Sequence, residues 1–128
     1  MAGWVLLGQL GFVGTIYAET DTLRLLGRSN VDNYSVDLEE NDWRWLRKHE
    51  GLVLGTSVPD YAPFDLSNDG QDFEGITADF AGLLSELLHV PITVRRYDSR
   101  SHVIEALKKG EIDLLGTANG FEAADPAL

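Results

Sequence analysis

The sequence predicts an α/β fold in which helices flank a mostly parallel sheet. Apolar runs of strand length, of which Leu52–Ser57 is the clearest, suit strands that are covered on both faces. These runs alternate with segments whose apolar residues recur at helical spacing, the pattern of parallel strands joined by crossover helices. The chain has 128 residues, 44% of them hydrophobic and 24% charged, which is a globular composition sufficient for one domain at most.

The first 18 residues carry no charged side chain. This apolar stretch ends at Ala18, directly before Glu19, and its length suits the core of an export signal better than a membrane span. A buried strand and a start site assigned too far upstream are the alternatives. We interpret residues 1–18 as a signal peptide, which would place the rest of the chain in the periplasm or elsewhere outside the cytoplasm.

Residues 19–50 are predicted to form an N-terminal extension with one short helix, from about residue 38 to 49. Asp37 and Glu40 have the spacing of a capping pair at the start of this helix. Acidic residues near its start and basic residues near its end complement the helix dipole. Gly51 is expected to close the helix before the first strand.

A hairpin and an amphipathic helix are predicted after that strand. Pro59 and Pro63 bracket a loop that cannot be helical. Two short strand arms, residues 64–66 and 73–75, then flank the turn formers of residues 68–70. Apolar residues at helical spacing predict one apolar stripe on the next helix, formed by Phe80, Leu83, Leu84, Leu87 and Leu88.

The remaining elements repeat the alternation of strand and helix. Residues 92–94 are β-branched and predict a strand, and a helix around Val103 to Leu107 is expected to stop at Gly110. Residues 112–115 form the last predicted strand. The predicted order is therefore strand, hairpin, helix, strand, helix, strand.

A ligand site is predicted where the first and last of these strands end. In sheets of this class, ligands bind beyond the carboxyl ends of the strands. The loop after the first strand offers aromatic rings and a carboxylate, and the loop after the last strand offers a hydroxyl, an amide and backbone N–H groups. The candidate ligand-binding residues are Asp60, Tyr61, Phe64, Thr117, Ala118 and Asn119. The alternative is that both segments are ordinary loops.

Charge and composition exclude several classes of function. The chain has 21 acidic and 10 basic residues, a net charge of -11, which argues against binding nucleic acid or anionic lipid headgroups. Cysteine is absent, so no thiolate metal site or cysteine nucleophile exists. The segment from Asp65 to Gly70 looks like the start of a calcium loop, but Ile76 stands where a bidentate Glu is needed. The three histidines lack metal-binding spacing, so we expect no metal, no cofactor and no catalytic residue.

Residues 51–128 resemble the first lobe of the type II periplasmic solute-binding fold, family 3, also called a Venus flytrap. The motifs that carry the resemblance are the strand of residues 52–56 with the Pro-Asp-Tyr-Ala-Pro-Phe-Asp loop of residues 59–65, then residues 73–80, then residues 110–115. Residues 25–29, 59–61 and 75–79 look more narrowly like the flytrap ectodomains of Bvg-type hybrid sensor kinases. The resemblance implies a two-lobed binding module of which this chain holds only an incomplete first lobe.

Three functions are compatible with that resemblance. The leading hypothesis is the extracytoplasmic small-solute-sensing domain of a membrane-bound two-component sensor histidine kinase, possessing no enzymatic activity of its own and able to dimerise in the full sensor. The alternatives are the substrate-binding protein of an ABC-type importer and a binding domain appended to a cell-wall lytic enzyme. The residues before Gly51 favour the sensor, because a simple capture protein needs no such extension.

The ligand is expected to differ from a standard α-amino acid. Amino-acid-binding members of the resembled family place an Arg several residues after the last of these strands, where it pairs with the ligand carboxylate. Here the segment after Leu115 contains no basic residue, and Glu122 and Asp125 bring negative charge instead. The sequence therefore predicts a cationic or neutral ligand held by Thr117 and Asn119, or no ligand at all. The alternative is that the second lobe supplies the Arg.

Overall fold

The computed structural model describes residues 20–68 and 70–128. The elements in chain order are β1 (Thr20–Leu25), α1 (Glu40–His49), β2 (Leu52–Ser57), β3 (Leu66–Asn68), β4 (Asp72–Glu74), α2 (Ile76–Leu88), β5 (Ile92–Tyr97), α3 (Arg100–Lys108), β6 (Leu114–Leu115) and α4 (Gly120–Ala123). The predicted signal peptide, residues 1–18, lies outside the described residues. No helix in the described ranges has the length and apolarity needed to cross a bilayer.

The strands form one sheet in the order β3-β4-β1-β5-β2-β6. β2 pairs in parallel with both β5 and β6, and β1 pairs in parallel with β4. The β3–β4 hairpin and the β1–β5 pair are antiparallel. Parallel pairs are therefore in the majority, and the predicted α/β class, the predicted order of elements along the chain after residue 51 and the predicted hairpin are confirmed.

One central strand was not predicted. β1 comes from the segment assigned to an N-terminal extension, yet it lies between β4 and β5. Its side chains alternate, with Leu23 buried and its two neighbours exposed, and Asp21 forms an ion pair of 2.8 Å with Arg96 of β5. Only two apolar residues mark this strand, so its period of two is weak in the sequence, and pairing on both sides stabilises it instead.

The apolar stripe of α2 is only partly buried, contrary to the prediction. The helix buries its small residues Thr77, Ala78 and Ala81, while Phe80 is 65% exposed and Leu84 40% exposed. The chain segment that follows β1 packs closely against the small-residue face of the helix. A Cβ at Gly27 would lie 3.1 Å from the Ala78 carbonyl oxygen, so only small residues fit between helix and segment.

The ends of several other elements also differ from prediction. The hairpin arms are Leu66–Asn68 and Asp72–Glu74 rather than residues 64–66 and 73–75, and β5 continues to Tyr97 rather than ending at residue 94. α1 begins at Glu40 rather than residue 38, and its N-cap Glu39 makes no side-chain capping bond, so the predicted Asp37–Glu40 capping pair is wrong. β6 is limited to Leu114–Leu115. Asp113, just before this strand, is bonded to Val53 of β2 twice: its backbone N–H donates to the Val53 carbonyl oxygen at 2.8 Å, and its carboxylate accepts from the Val53 N–H at 2.9 Å.

Apolar residues cover both faces of the sheet, because successive side chains of a strand point to opposite sides. The core beneath α1 and α2 contains Leu23, Leu46, Leu52, Leu54, Phe73, Ala78, Ala81, Val90, Ile92 and Val94. The core beneath α3 contains Tyr97, Val103, Ala106 and Ile112, with Val53 packed against it. This two-sided burial explains why β2 reads as a continuous apolar run.

Candidate ligand-binding site

A cavity of about 360 Å³ opens at the carboxyl edge of the parallel strands. Because β2, β5 and β6 run in parallel, the segments that follow them meet at this edge. Those three segments supply the lining of the cavity. The lining residues are Ser57, Pro59, Tyr61, Asp65, Arg100, Thr117, Ala118, Asn119 and Glu122.

Four of the six predicted site residues share this cavity, namely Tyr61, Thr117, Ala118 and Asn119. Asp60 does not line it, because its carboxylate accepts hydrogen bonds from the backbone N–H and the hydroxyl of Ser67, at 3.1 and 2.6 Å. The geometric expectation that Tyr61 and Asn119 lie at one edge is confirmed. That these residues bind a ligand stays a prediction.

Phe64, the sixth predicted residue, lines a neighbouring cavity of about 340 Å³. Its ring stacks on Tyr61 with centroids 5.3 Å apart. This second cavity is mainly apolar and includes Phe80 and Leu84 of α2, and Thr117 borders both cavities. Tyr61, Phe64 and Thr117 therefore separate a polar cavity from an apolar one.

The loop that carries Tyr61 is fixed by backbone hydrogen bonds. Asp65 and Tyr61 exchange two N–H···O bonds of 2.9 Å, which close the loop into a tight turn. The carbonyl oxygens of Pro63 and Phe64 accept the first N–H groups of α2, those of Ile76 and Thr77, at 3.1 Å each. These N–H groups have no partner inside the helix, so the loop completes the helix start and is held by it.

Arg100 is the main site residue that the sequence analysis missed. It begins α3 directly after β5, and its Nη2 lies 2.5 Å from Glu122 Oε2 and 2.6 Å from the Thr117 carbonyl oxygen. Its Nε donates to Glu122 Oε1 at 3.1 Å. Arg100 therefore brings a cation to the segment after Leu115, which itself contains no basic residue. The end of β5 could have signalled Arg100, because β5 is parallel to β2 and ends at the same edge.

Glu122 and Asn119 form a capping box at the start of α4. The Asn119 side-chain oxygen accepts from the Glu122 N–H at 2.8 Å, and Glu122 accepts from the Asn119 N–H at 3.1 Å and from its amide group at 3.2 Å. The hydrogen bond from Arg100 is the main reason why the pKa of Glu122 is lowered. The Asn119 side chain is thus engaged within the protein and orients Glu122.

The three histidines of the described residues do not cluster: His49 and His102 each pair with a carboxylate, and His89 stacks on Trp43. His49 Nε2 lies 3.0 Å from Asp113 Oδ1, and the His49 ring stacks on Trp45. His102 contacts Asp98 one turn earlier. Within residues 20–68 and 70–128, no three His, Asp or Glu side chains converge as metal ligands.

The fold and its edge cavity define the chain as a Venus-flytrap-like sensor ectodomain. Its solved counterpart is the periplasmic domain of BvgS from Bordetella pertussis, which matches with a TM-score of 0.73 at 39% identity and covers 80% of this chain and 20% of that chain. The chain is homologous to this domain. No family model matches the chain.

Curated relatives agree with the structural match. The virulence sensor protein BvgS of Bordetella bronchiseptica is 41% identical over 100 residues, covering 78% of this chain. The sensor protein EvgS of Escherichia coli K12 is 28% identical over 116 residues, covering 88% of it. Membrane-bound lytic murein transglycosylase F of Shewanella baltica is 42% identical over 69 residues, covering 54%. The chain spans only 8% of that BvgS, 10% of that EvgS and 14% of that transglycosylase.

Proposed function

We propose that the chain is the extracytoplasmic solute-sensing part of a membrane-bound two-component sensor histidine kinase. The observation that carries the proposal is the 41% identity to BvgS over 100 residues. That alignment is longer than residues 51–128, so it extends into the segment that supplies β1. In this proposal the chain itself catalyses nothing, and the kinase activity belongs to other parts of the protein.

The proposed mechanism is a change in domain closure. A small molecule would bind between this lobe and a second lobe, and its preference for the closed state would shift the population of the sensor. The cavity between Tyr61, Arg100 and Thr117 is the surface of this lobe that such a ligand would contact. The transglycosylase similarity covers about half of the chain, which fits a flytrap lobe shared between different proteins.

The test is a phosphorylation assay on membranes that contain the complete natural protein and labelled ATP. Ala118→Trp would fill the cavity and shift the autophosphorylation rate, in either direction, by at least about fivefold, the usual lower range of allosteric coupling. Ala127→Trp adds the same side chain at an exposed position and serves as the control. Absence of phosphorylation in the natural protein would exclude the kinase. An unchanged rate in the Ala118→Trp protein would exclude control through the cavity.

A further inference from the structure

Asp65 lines the polar cavity, and one oxygen of its carboxylate is buried and unpaired. Among the described residues, its Oδ1 is the one buried side-chain oxygen or nitrogen that lacks a hydrogen-bond partner. Its Oδ2 lies 3.5 Å from the Thr56 hydroxyl, a long contact. A buried carboxylate oxygen without a donor lowers stability, and a bound donor would remove this cost.

Among the described residues, Arg100 is the one cationic side chain that lines this cavity, and it is already paired. Arg100 directs Nε and Nη2 at Glu122, and the same Nη2 contacts the Thr117 carbonyl. Glu122 is ionised at neutral pH, and the Arg100 hydrogen bond lowers its pKa further below the ordinary value of 4.5. The Arg100–Glu122 pair therefore contributes no net charge. The remaining charge of the cavity is the negative one on Asp65.

The other lining groups suit a cation as well. Tyr61 is 59% exposed, and its ring, stacked on Phe64, can receive a cation on its free face. The hydroxyls of Ser57 and Thr117 can accept hydrogen bonds from an ammonium group. The net charge of -11 on the chain also raises the local concentration of small cations.

We propose that this cavity binds a small organic cation through its ammonium group, with Asp65 as the charge partner and the Tyr61 ring as one wall. The ammonium group pairs with the Asp65 carboxylate, which turns its buried, unpaired oxygen toward the cavity to accept the bond, and the Arg100–Glu122 pair forms a neutral side of the site. The proposal rests on the proposed function only in assuming that this cavity is the ligand site. It names the chemical class of that ligand.

The first test compares three probes of similar length with the complete natural protein by calorimetry at pH 7. The probes are 1,4-diaminobutane, 1,4-butanediol and succinate, which differ in charge. Diaminobutane should bind at least about tenfold more tightly than either of the others, because a charge-assisted bond to a buried carboxylate adds at least that much. Equal binding of the diol, preference for succinate, or no binding of diaminobutane would overturn the proposal.

The second test removes the charge of Asp65. Asp65→Asn should weaken diaminobutane binding at least about tenfold. Asp32→Asn removes the same charge at an exposed position outside the cavity and should change the affinity less than about twofold. Equal losses in both variants would attribute the effect to net charge and overturn the role of Asp65.

These outcomes are separable from failure of the proposed function. Thermal unfolding verifies that the Asp65→Asn protein is folded. If this variant does not fold, the three probes on the unsubstituted protein decide whether the cavity prefers a cation. Preference for succinate would place an anion at Arg100 and overturn the ammonium site, while a solute-sensing cavity would remain. The cavity-filling variant Ala118→Trp tests the sensor separately, since its readout is phosphorylation.

Discussion

Gly75 marks the tightest backbone contact beside the candidate site. Its φ is +107°, and a Cβ there would lie 2.8 Å from the Pro63 carbonyl oxygen and closer still to that of Phe64. Gly75→Ala should lower the free energy of unfolding by about 3 kcal/mol, because backbone strain and overpacking each cost about 1–3 kcal/mol. Urea unfolding monitored by tryptophan fluorescence measures this change.

Gly110→Ala is the matched control for that substitution. Gly110 also has a positive φ, +73°, but a Cβ there meets no atom within 4 Å. Gly110→Ala should lower the free energy of unfolding only by the backbone strain, about 1 kcal/mol. Equal losses at the two positions would show that the contact between Gly75 and the loop carbonyls contributes nothing to stability.

Glu122 predicts a pH-dependent contribution to stability. Its pKa in the folded chain is lower than its ordinary value of 4.5, chiefly because Arg100 donates to it. The stabilisation by ionised Glu122 is therefore complete at pH values above the pKa that Glu122 has in the unfolded chain. It is lost as the pH falls through the lower pKa that Glu122 has in the folded chain. Glu122→Gln should melt at a lower temperature than the natural chain at pH 7, and the difference should shrink as pH falls below 4.5.

Glu105→Gln is the control for this titration. Glu105 is exposed, and its side chain makes no hydrogen bond or ion pair with the part of the chain that the structure describes. The melting temperature of the Glu105→Gln chain should follow that of the natural chain at every pH. A constant difference between the Glu122→Gln and natural chains from pH 7 to pH 3 would contradict the ionic pairing with Arg100.

At the scale of elements, β1 tests whether the segment before residue 51 is part of the lobe. Leu23 is 2% exposed and lies opposite Val94 of β5. Leu23→Ala should lower the free energy of unfolding by about 3 kcal/mol, the usual cost of such a cavity. Thr22→Ala on the exposed side of the same strand should cost less than about 0.5 kcal/mol. Similar small losses at both positions, measured by urea unfolding, would show that β1 is not required for the core.

The elements that were predicted and the one that was missed differ in local signal. β2 is apolar along its length, and the β3–β4 hairpin carries turn residues between its arms. These signals lie within a few residues of each other in the sequence. β1 has only two apolar residues, and its partners β4 and β5 follow in the chain only after residue 70. Its stability comes from this long-range pairing, which no local pattern reveals.

At the scale of the whole molecule, the homology bears on the fold and the class of protein, whereas the charge of the cavity bears on the ligand. The identity to BvgS supports the fold and the sensor class over 100 residues. The chemistry of the cavity depends on side chains from three separate segments of the chain, among them Asp65, Arg100 and Glu122. The absence of an α-amino-acid anchor stays a prediction, and Arg100, the cation beside the segment after Leu115, is paired with Glu122.

The sequence by itself determined the α/β class, the order of the elements after residue 51 and the two loops that meet at the site. It did so because apolar periodicity and turn residues are local, and because parallel strands must end at one edge. Only the tertiary structure decided that β1 enters the sheet, that the Asp60 carboxylate accepts hydrogen bonds from Ser67, and that Arg100 pairs with Glu122. These features depend on contacts between residues distant in sequence and on side-chain direction. Neither is encoded in the pattern of any single segment.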